Sequence, residues 1–358
     1  MARVRIRGTG LYAPGEPIDN EELMRLAGVD FDAARLEEKL GIRTRHIARL
    51  RHIDESTADF AEKAARNAIA DADIDPMDVG LFIVGTDTPE YVSPATAILV
   101  QGRIQGCQMD TGAFDIGASC ASFVTALDAA ARMMSGDPGL RYAVVTGVYN
   151  MPAHIRAGDA FGWSIFADGA GAVLLERIDD TIATGSTDEA ADSTTTGATT
   201  SRSASSGYLA GKFLADGTQW DYIGVYTGGT RKPVTRELLE AGTYGLELLQ
   251  RLPGDRNLKL WPPLVRSLCA KGGLALESVN CFCFTQINRS VIMDVMDTLG
   301  RPAALAPTVM DRYGYTGSGC VPMAFHHAVL NGSVKRGDAV VFCASGAGLA
   351  VGANLFVF

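Results

Sequence analysis

Short apolar runs alternate with amphipathic segments along the chain, and the two patterns predict strands and helices in a definite order. In the first half, apolar runs predict strands at 79–85, 113–116, 142–146 and 170–176, and helical periodicity predicts helices at 56–71, 94–104 and 120–135. In the second half, strands are predicted at 279–284, 339–343 and 350–358, and helices at 263–271, 289–299 and 319–330. Buried strands of this length between helices are typical of a layered α/β fold.

The two halves repeat the same order of elements, and each ends in a pair of strands, which indicates a duplicated unit. We therefore predict an N-terminal half at 1–183 and a C-terminal half at 207–358. Between them, the segment 184–206 has almost no large apolar residue and is rich in Ser, Thr, Ala and Gly. Such a segment can bury little surface, so we expect a flexible, exposed insertion.

Composition and charge exclude several classes of function. The 358 residues are 47% hydrophobic and 20% charged, as in globular proteins, and a net charge of −9 disfavours a broad nucleic-acid surface. No apolar run approaches the ~20 residues that span a bilayer, and the first residues lack a signal-peptide pattern. The seven cysteines are scattered, without the spacing of a disulfide framework or a zinc cage. We expect a cytoplasmic protein without a metal site and without a membrane or nucleic-acid partner.

Cys120 stands at the most informative local pattern, where a short predicted strand turns through Gly-Ala-Ser into a predicted helix. A thiol at a helix N-terminus is close to the positive end of the helix dipole and to unpaired backbone N–H groups, which favour the thiolate. The same N–H groups can stabilise an oxyanion once the sulfur attacks a carbonyl. From this pattern alone, a nucleophile and a small buried cysteine are equally acceptable interpretations.

Seven stretches, taken together, resemble the β-ketoacyl-acyl-carrier-protein synthase III family of the thiolase superfamily. In family order they are GIRTRHIA (41–48), GTDTPE (85–90), SPATA (93–97), FDIGASCASF (114–123), FADGAGAV (166–173), YGYT (313–316) and SGAGL (345–349). The resemblance implies a duplicated five-layer α/β/α/β/α thiolase-like fold, with one thiolase-like half on each side of the insertion. It also implies a homodimer in which Cys120 accepts an acyl group. The donor would be a phosphopantetheine thioester, on coenzyme A or on an acyl carrier protein, with no permanently bound cofactor.

Two of the three catalytic side chains of that family are replaced here. Thr285, which opens the stretch Thr-Gln-Ile-Asn288, stands where the family has its histidine. Tyr315 stands where the family has its asparagine. Loss of one hydrogen-bond donor to a transition-state oxyanion costs about 3–4 kcal/mol. The resemblance places the remaining oxyanion hole on the backbone N–H groups of Cys120 and Ala347. We therefore expect acylation of Cys120 to be retained and decarboxylating condensation to be weakened.

His154 and Asp87 are the candidates to replace the missing base. His154 follows a predicted core strand, and Asp87 follows the predicted strand 79–85, at a place where relatives that make hydroxymethylglutaryl-CoA use a carboxylate. A surface loop and a turn are the alternative interpretations of these two positions. Arg156 and Arg289 are candidate contacts for the phosphates of the donor or for an acidic carrier protein, unless they are simply solvated.

The leading functional hypothesis is an acyl-thioester transferase or condensing enzyme that works through acyl-Cys120. It would have a non-standard second step, which need not involve decarboxylation, and would serve polyketide-like specialised metabolism. One alternative is a true decarboxylating synthase that uses Thr285, Asn288 and Tyr315. The other is a non-catalytic partner subunit of a related synthase.

Overall fold

The computed structural model describes residues 3–178 and 206–358, so the predicted insertion lies outside the described residues except for Ser206. The first part contains β1 (Arg3–Tyr12), β2 (Ile18–Asp19), α1 (Asn20–Ala27), α2 (Ala33–Leu40), β3 (Thr44–Arg45), α3 (Thr57–Asp71), β4 (Val79–Gly85), α4 (Thr96–Gln105), β5 (Gly112–Ile116), α5 (Ser122–Gly136), β6 (Tyr142–Asn150), α6 (Ala160–Ile165) and β7 (Asp168–Ile178). The second part contains β8 (Gly207–Gln219), β9 (Ile223–Val225), α7 (Arg236–Glu240), β10 (Leu246–Leu248), α8 (Arg256–Gly272), β11 (Val279–Phe284), α9 (Arg289–Leu299), α10 (Met310–Tyr313), α11 (Cys320–Leu330), β12 (Ala339–Gly346) and β13 (Gly348–Val357).

Two mixed sheets form the framework, and each takes its strands from one part of the chain. The first sheet has the order β1-β7-β6-β4-β5, in which β4 runs parallel to β6 and β5 while β7 is antiparallel to β6 and β1. The second has the order β11-β12-β13-β8, in which β11 and β12 are parallel and the other neighbours antiparallel. Strands β4, β6, β7 and β1 therefore have the same order and relative directions as β11, β12, β13 and β8.

Helices separate and cover the two sheets in five layers. Helices α5 and α11 lie between the sheets and contact strands of both. Helices α3 and α4 cover the outer face of the first sheet, and α8, with α9 packed against it, covers the second. The apolar faces of the central helices are buried, and Phe325 of α11 packs edge-on against Phe342 of β12 with ring centroids 5.0 Å apart. The predicted five-layer α/β/α/β/α fold is confirmed.

The sequence pattern located the buried elements better than those near the cavity mouth. Strands β4 and β11 and helix α9 have the predicted bounds. The prediction that α8 begins at Pro263 is wrong, because the helix begins at Arg256 and includes both Pro262 and Pro263. Proline is common in the first helical turn, which is why the pair indicates a helix start at the level of sequence. Strands β1 and β8, each at one edge of a main sheet, were not predicted. The short strands β9 and β10, which pair with each other, were not predicted either.

Within the described residues, no helix has the length and apolar character needed to cross a membrane.

Candidate active site

Cys120 lies in the turn between β5 and α5, one residue before Ala121, the N-cap of the helix. Strand β4 can end beside this turn because its last residue is Gly85: a Cβ there would come within 2.7 Å of the Ser122 backbone. The close approach brings Asp87, two residues beyond β4, into the wall of the same cavity as Cys120. Ser119 adopts a left-handed backbone conformation, with φ of 50°, immediately before the nucleophile. Left-handed backbone at a non-glycine residue is uncommon and concentrates at functional sites.

The turn between β12 and β13 closes on Cys120 from the second sheet. A Cβ at Gly346 would lie 2.4 Å from the carbonyl oxygen of Ala118 and 2.9 Å from the Cys120 nitrogen, so only glycine allows this contact. Ala347, the next residue, lines the cavity together with Cys120. The structure thus brings together the two backbone segments whose N–H groups were predicted to form the oxyanion hole.

The cavity above Cys120 occupies about 830 Å³, counting its open mouth, which is within the usual range for a small-molecule site. Its wall is mainly apolar and joins residues from both sheets with others from the segment around β9 and β10. The lining residues are Asp87, Ser119, Cys120, Tyr149, Met151, Phe166, Ile223, Gly224, Val225, Leu246, Leu252, Arg256, Asn257, Thr285, Ile287, Tyr315, Ser345, Gly346 and Ala347.

The thiol of Cys120 is protonated near neutral pH. Burial, together with the nearby charge of Asp87, raises the pKa of Cys120 to about 11, although hydrogen bonds with Tyr315, Ser119 and Tyr149 act in the opposite direction. This direction is opposite to the one that the helix N-terminus alone favours. Nucleophilic attack consequently needs a base that removes the proton.

Asp87 is linked to the sulfur through the Ser119 hydroxyl. Ser119 Oγ lies 2.8 Å from Asp87 Oδ2 and 3.7 Å from Cys120 Sγ. Because the hydroxyl has one proton, its donation to the carboxylate leaves the thiol S–H free to donate to the hydroxyl oxygen. The second carboxylate oxygen of Asp87, Oδ1, is buried and has no hydrogen-bond partner among the described residues. Burial raises the pKa of Asp87 to about 6, against the hydrogen bond from Ser119, so most of this carboxyl is ionised at pH 7.

Thr285 and Tyr315, which the sequence resemblance predicts at the positions of the family's histidine and asparagine, both line the cavity. The Thr285 hydroxyl oxygen accepts a hydrogen bond of 3.0 Å from the Ser345 N–H, and no acceptor for its own proton is present among the described residues. The Tyr315 ring lies 5.7 Å from the Phe166 ring and 6.2 Å from the Tyr149 ring. Burial raises the pKa of the Tyr315 phenol well above its usual value, so Thr285 and Tyr315 can donate hydrogen bonds but cannot serve as bases near pH 7.

The other predicted polar side chains do not reach this cavity. Asn288 caps α9, with its Oδ1 3.4 Å from the Val291 nitrogen, and lines a neighbouring cavity instead. His154 ends the 3₁₀ helix Met151–His154, in which Met151 rather than the histidine lines the cavity. Burial lowers the pKa of His154.

The two arginines proposed as phosphate contacts are also outside the wall around Cys120. Arg156 lines a separate surface depression and donates a hydrogen bond of 3.4 Å to the Gly242 carbonyl. Arg289 is exposed, and its side chain packs beneath Gly41. Neither position contradicts a contact with the distal end of a long donor.

Sequence reasoning missed five polar residues of the cavity wall: Ser119, Tyr149, Arg256, Asn257 and Ser345. Ser119 could have been found from its position beside the nucleophile. Tyr149 is the penultimate residue of β6, a strand that was predicted to stop at residue 146. Arg256 and Asn257 open a helix that was predicted to begin only at Pro263, and no local pattern marks them as functional.

The described residues contain no group of three or more His, Cys, Asp or Glu side chains arranged to hold a metal ion. The cavity instead combines a buried thiol, a carboxylate relay and hydrogen-bond donors in a mainly apolar wall. This arrangement suits acyl transfer through a covalent thioester.

Comparisons with known proteins identify a family for this chain. The family model described as 3-Oxoacyl-[acyl-carrier-protein (ACP)] synthase III matches residues 114–193, and the model of the C terminal part of the same family matches residues 269–358. The chain is 30% identical to a beta-ketoacyl-[acyl-carrier-protein] synthase III of Solibacter usitatus, over 99% of both chains. It is 31% identical to that of Alkalilimnicola ehrlichii, also over 99% of both. The crystal structure of the Aquifex aeolicus 3-oxoacyl-[acyl-carrier-protein] synthase III superposes with a TM-score of 0.79 at 27% identity, covering 99% of this chain and all of the other.

Proposed function

Because the chain belongs to the 3-oxoacyl-[acyl-carrier-protein] synthase III family of condensing acyltransferases, we propose that it transfers acyl groups through an acyl-Cys120 intermediate. The observation that carries this proposal is the position of the Cys120 thiol. It lies in a mainly apolar cavity with an open mouth, between a hydrogen-bonded carboxylate and the turn that holds Ala347.

Acylation follows from the chain of atoms that joins Cys120 to Asp87. As Sγ attacks the thioester carbonyl carbon, the thiol proton moves to Ser119 Oγ and the hydroxyl proton moves to Asp87 Oδ2. The new C–S bond forms a tetrahedral oxyanion, which the N–H groups of Cys120 and Ala347 stabilise. The bond between that carbon and the donor sulfur then breaks. The leaving pantetheine thiolate takes the proton back from Asp87 through Ser119, which leaves a neutral acyl-enzyme and a carboxylate ready for another cycle.

The second step uses a different set of donors from that of the family. Thr285 and Tyr315 offer one O–H group each to the carbonyl oxygen of the acyl group or acceptor, and no histidine lines the cavity wall within the described residues. Because Thr285 and Tyr315 are both neutral donors and no histidine accompanies them in the described wall, an acceptor whose enolate needs little stabilisation is favoured. We therefore propose transfer to an acidic or preformed nucleophile without loss of carbon dioxide, in polyketide-like specialised metabolism.

A decarboxylating synthase is the second candidate, and one observation favours it. Thr285 and Tyr315 both line the cavity, at the sequence positions where the family holds the malonyl thioester carbonyl. Asn288 would not contribute directly in this reaction, because it caps α9.

The donor and the assembly are proposed by resemblance to the family. The donor would be acyl-CoA or an acyl carrier protein, and the cavity that contains Asn288 continues from the Cys120 cavity through the shared residues Leu252, Arg256, Asn257 and Ile287. A homodimer is proposed on the same ground. All seven cysteines are free thiols in the structure, which suits a thiol nucleophile in a reducing cytoplasm. The matching topology of the two sheets supports the division into halves at 1–183 and 207–358.

Product analysis distinguishes these functions. Purified protein is incubated with a panel of acyl-CoA and acyl-carrier thioesters, followed by a malonyl thioester labelled in its free carboxyl carbon. We expect acyl transfer without release of labelled carbon dioxide, and no transfer by Cys120→Ala. Release of labelled carbon dioxide by the wild type, and no release by Cys120→Ala, would establish the decarboxylating synthase. Absence of any acyl transfer or acyl adduct across the panel would overturn both and favour a non-catalytic partner subunit.

A further inference from the structure

Arg256 is the only cationic side chain in the wall of the Cys120 cavity as far as the structure describes it. It is the first residue of α8 and is about half-buried beside apolar residues of the mouth, Ile223, Leu246 and Leu252. Its positive charge attracts any negative charge that forms on the side chains of Cys120 and Tyr315. Burial lowers the pKa of the Arg256 guanidinium. A positive charge is therefore held close to the reacting sulfur, in surroundings that otherwise favour a neutral acyl chain.

No side-chain hydrogen bond or ion pair satisfies this guanidinium among the described residues. The nearest acidic residue along the chain, the N-cap Asp255, instead pairs with Lys259 at 2.6 Å. A half-buried guanidinium without a counter-ion is unfavourable, since burial removes its water and nothing in the protein replaces it. A bound anion would supply the missing partner, and the planar guanidinium matches a carboxylate with two parallel hydrogen bonds.

Asn257, the next residue, gives an independent indication of a polar ligand. Its Oδ1 atom is buried and has no hydrogen-bond partner among the described residues, and its side chain lines the same cavity. Buried amide oxygens are nearly always paired in folded proteins. Two adjacent, unsatisfied polar groups therefore mark one end of a cavity whose remaining wall is mostly apolar.

The arginine also bears on what happens to the carboxylate. When a β-carboxylate is lost as carbon dioxide, its charge moves to the carbon that becomes the enolate. A cation that holds the carboxylate itself stabilises the starting state more than the transition state and slows the loss. A carboxylate paired with Arg256 is therefore suited to remain in the product, in accord with the absence of a histidine from the described wall of the cavity.

We propose that Arg256, with Asn257 beside it, binds a carboxylate group of a substrate that is retained in the product. This site rests on the proposed function, since it names the substrate class of the same cavity. The carboxylate belongs either to the distal end of the acyl group or to the acceptor. Both sources present the same chemistry to the guanidinium.

Competing acylation reactions separate these sources. Wild-type protein, Arg256→Met and the control Arg251→Met, an exposed arginine that does not line the cavity, are incubated with two CoA thioesters of equal length: hexanoyl-CoA and adipyl-CoA, whose acyl group ends in a carboxylate. If the acyl group carries the carboxylate, adipyl transfer to Cys120 should fall about 10- to 100-fold in Arg256→Met, while hexanoyl transfer stays within about threefold. If the acceptor carries it, both acylations stay unchanged, and transfer of the hexanoyl group to a carboxylated acceptor falls instead by a similar factor. Arg251→Met should match wild type throughout.

Direct binding gives a readout that does not depend on catalysis. Adipate and the neutral amide hexanamide are titrated into Cys120→Ala and into Cys120→Ala/Arg256→Met by calorimetry. We expect adipate to bind at least tenfold more weakly to the double variant, with a smaller change for hexanamide. Equal losses for charged and neutral thioesters in Arg256→Met, or no effect of the substitution on any of these carboxylates, would overturn the proposal. Failure of every thioester to form an adduct while adipate still binds through Arg256 would instead contradict the proposed acyl transfer and leave the carboxylate site standing.

Discussion

Replacement of Asp87 by asparagine should slow acylation of Cys120 and, at the same time, stabilise the folded protein. The substitution keeps the size of the side chain but removes the proton acceptor that Ser119 reaches at 2.8 Å. General-base catalysis contributes about 10²–10⁴-fold to such steps. We therefore expect acylation at pH 7 to fall about 10²-fold or more in Asp87→Asn.

The pH dependence should change in a way that a merely structural effect would not produce. In the wild type, acylation should rise with pH until Asp87 is ionised, near its pKa of about 6, and then level off. In Asp87→Asn, the reaction would depend on the small fraction of thiolate, because burial still raises the pKa of Cys120. Its rate should increase about tenfold per pH unit above neutrality. A 10²-fold gap at pH 7 should therefore close within about two pH units.

The stability change has the opposite sign because the pKa of Asp87 is raised in the folded state. Folding favours the protonated carboxyl, so this group contributes full stability below its unfolded pKa of 3.8, and the contribution is lost as the pH rises through about 6. A shift of about two units corresponds to about 3 kcal/mol, an upper limit for a side chain that borders a cavity. The amide introduced by Asp87→Asn would not titrate, so this variant should gain up to about 3 kcal/mol over wild type between pH 4 and pH 8.

Stopped-flow acylation with an acyl-CoA and chemical denaturation at pH 4 and pH 8 measure the two effects on the same samples. Cys120→Ala serves as the zero-activity control. The relay would be refuted by an Asp87→Asn variant that acylates at the wild-type rate with an unchanged pH profile. A variant that is slower but also less stable at pH 8 would equally contradict it, since that result indicates damage to the fold.

Three further outcomes follow from the same geometry. Ser119→Ala should slow acylation as Asp87→Asn does, and the double variant should be no slower than either single variant; additive losses in a double-mutant cycle would exclude a shared proton path. Tyr315→Phe removes a hydrogen bond that lowers the pKa of Cys120. The pH profile for alkylation of Cys120 by iodoacetamide should therefore move to higher pH. A profile that does not move, or that moves to lower pH, would contradict this contact. Gly346→Ala would place a Cβ within 2.9 Å of the Cys120 nitrogen. Urea unfolding should therefore show that the free energy of unfolding falls by about 1–3 kcal/mol, and acylation should be lost. Wild-type stability and acylation would mean that the turn does not pack on the nucleophile.

The central strands and helices of the framework could be predicted from the sequence because their pattern is strong and local, whereas the edge strands β1 and β8 were missed. The apolar runs of β4 and β11 are bounded by polar residues, and the periodicity of α9 ends at Gly300, a left-handed C-cap. The mouth of the cavity could not be predicted in this way. Strands β9 and β10 have three residues each and are held by pairing with each other, which leaves little periodicity to detect.

The protonation state of Cys120 shows a different limit. A helix N-terminus stabilises a nearby negative charge by about 0.3–2 kcal/mol, whereas full burial can move a pKa by several units against the charged form. Local sequence reveals the helix start but not the depth at which the cavity buries the sulfur. The contacts with Asp87, Tyr149 and Tyr315 come from three other segments of the chain, so the direction of the shift depends on the tertiary structure.

Mass spectrometry of the intact protein tests most directly whether Cys120 accepts the acyl group. Wild-type protein and Cys120→Ala are incubated with acyl-CoA thioesters, quenched in acid, weighed and digested. We predict that the wild type gains the mass of one acyl group, on the peptide that contains Cys120, and that Cys120→Ala gains none. An acyl group on another residue, an equal adduct on Cys120→Ala, or no adduct with any thioester would contradict the proposed intermediate.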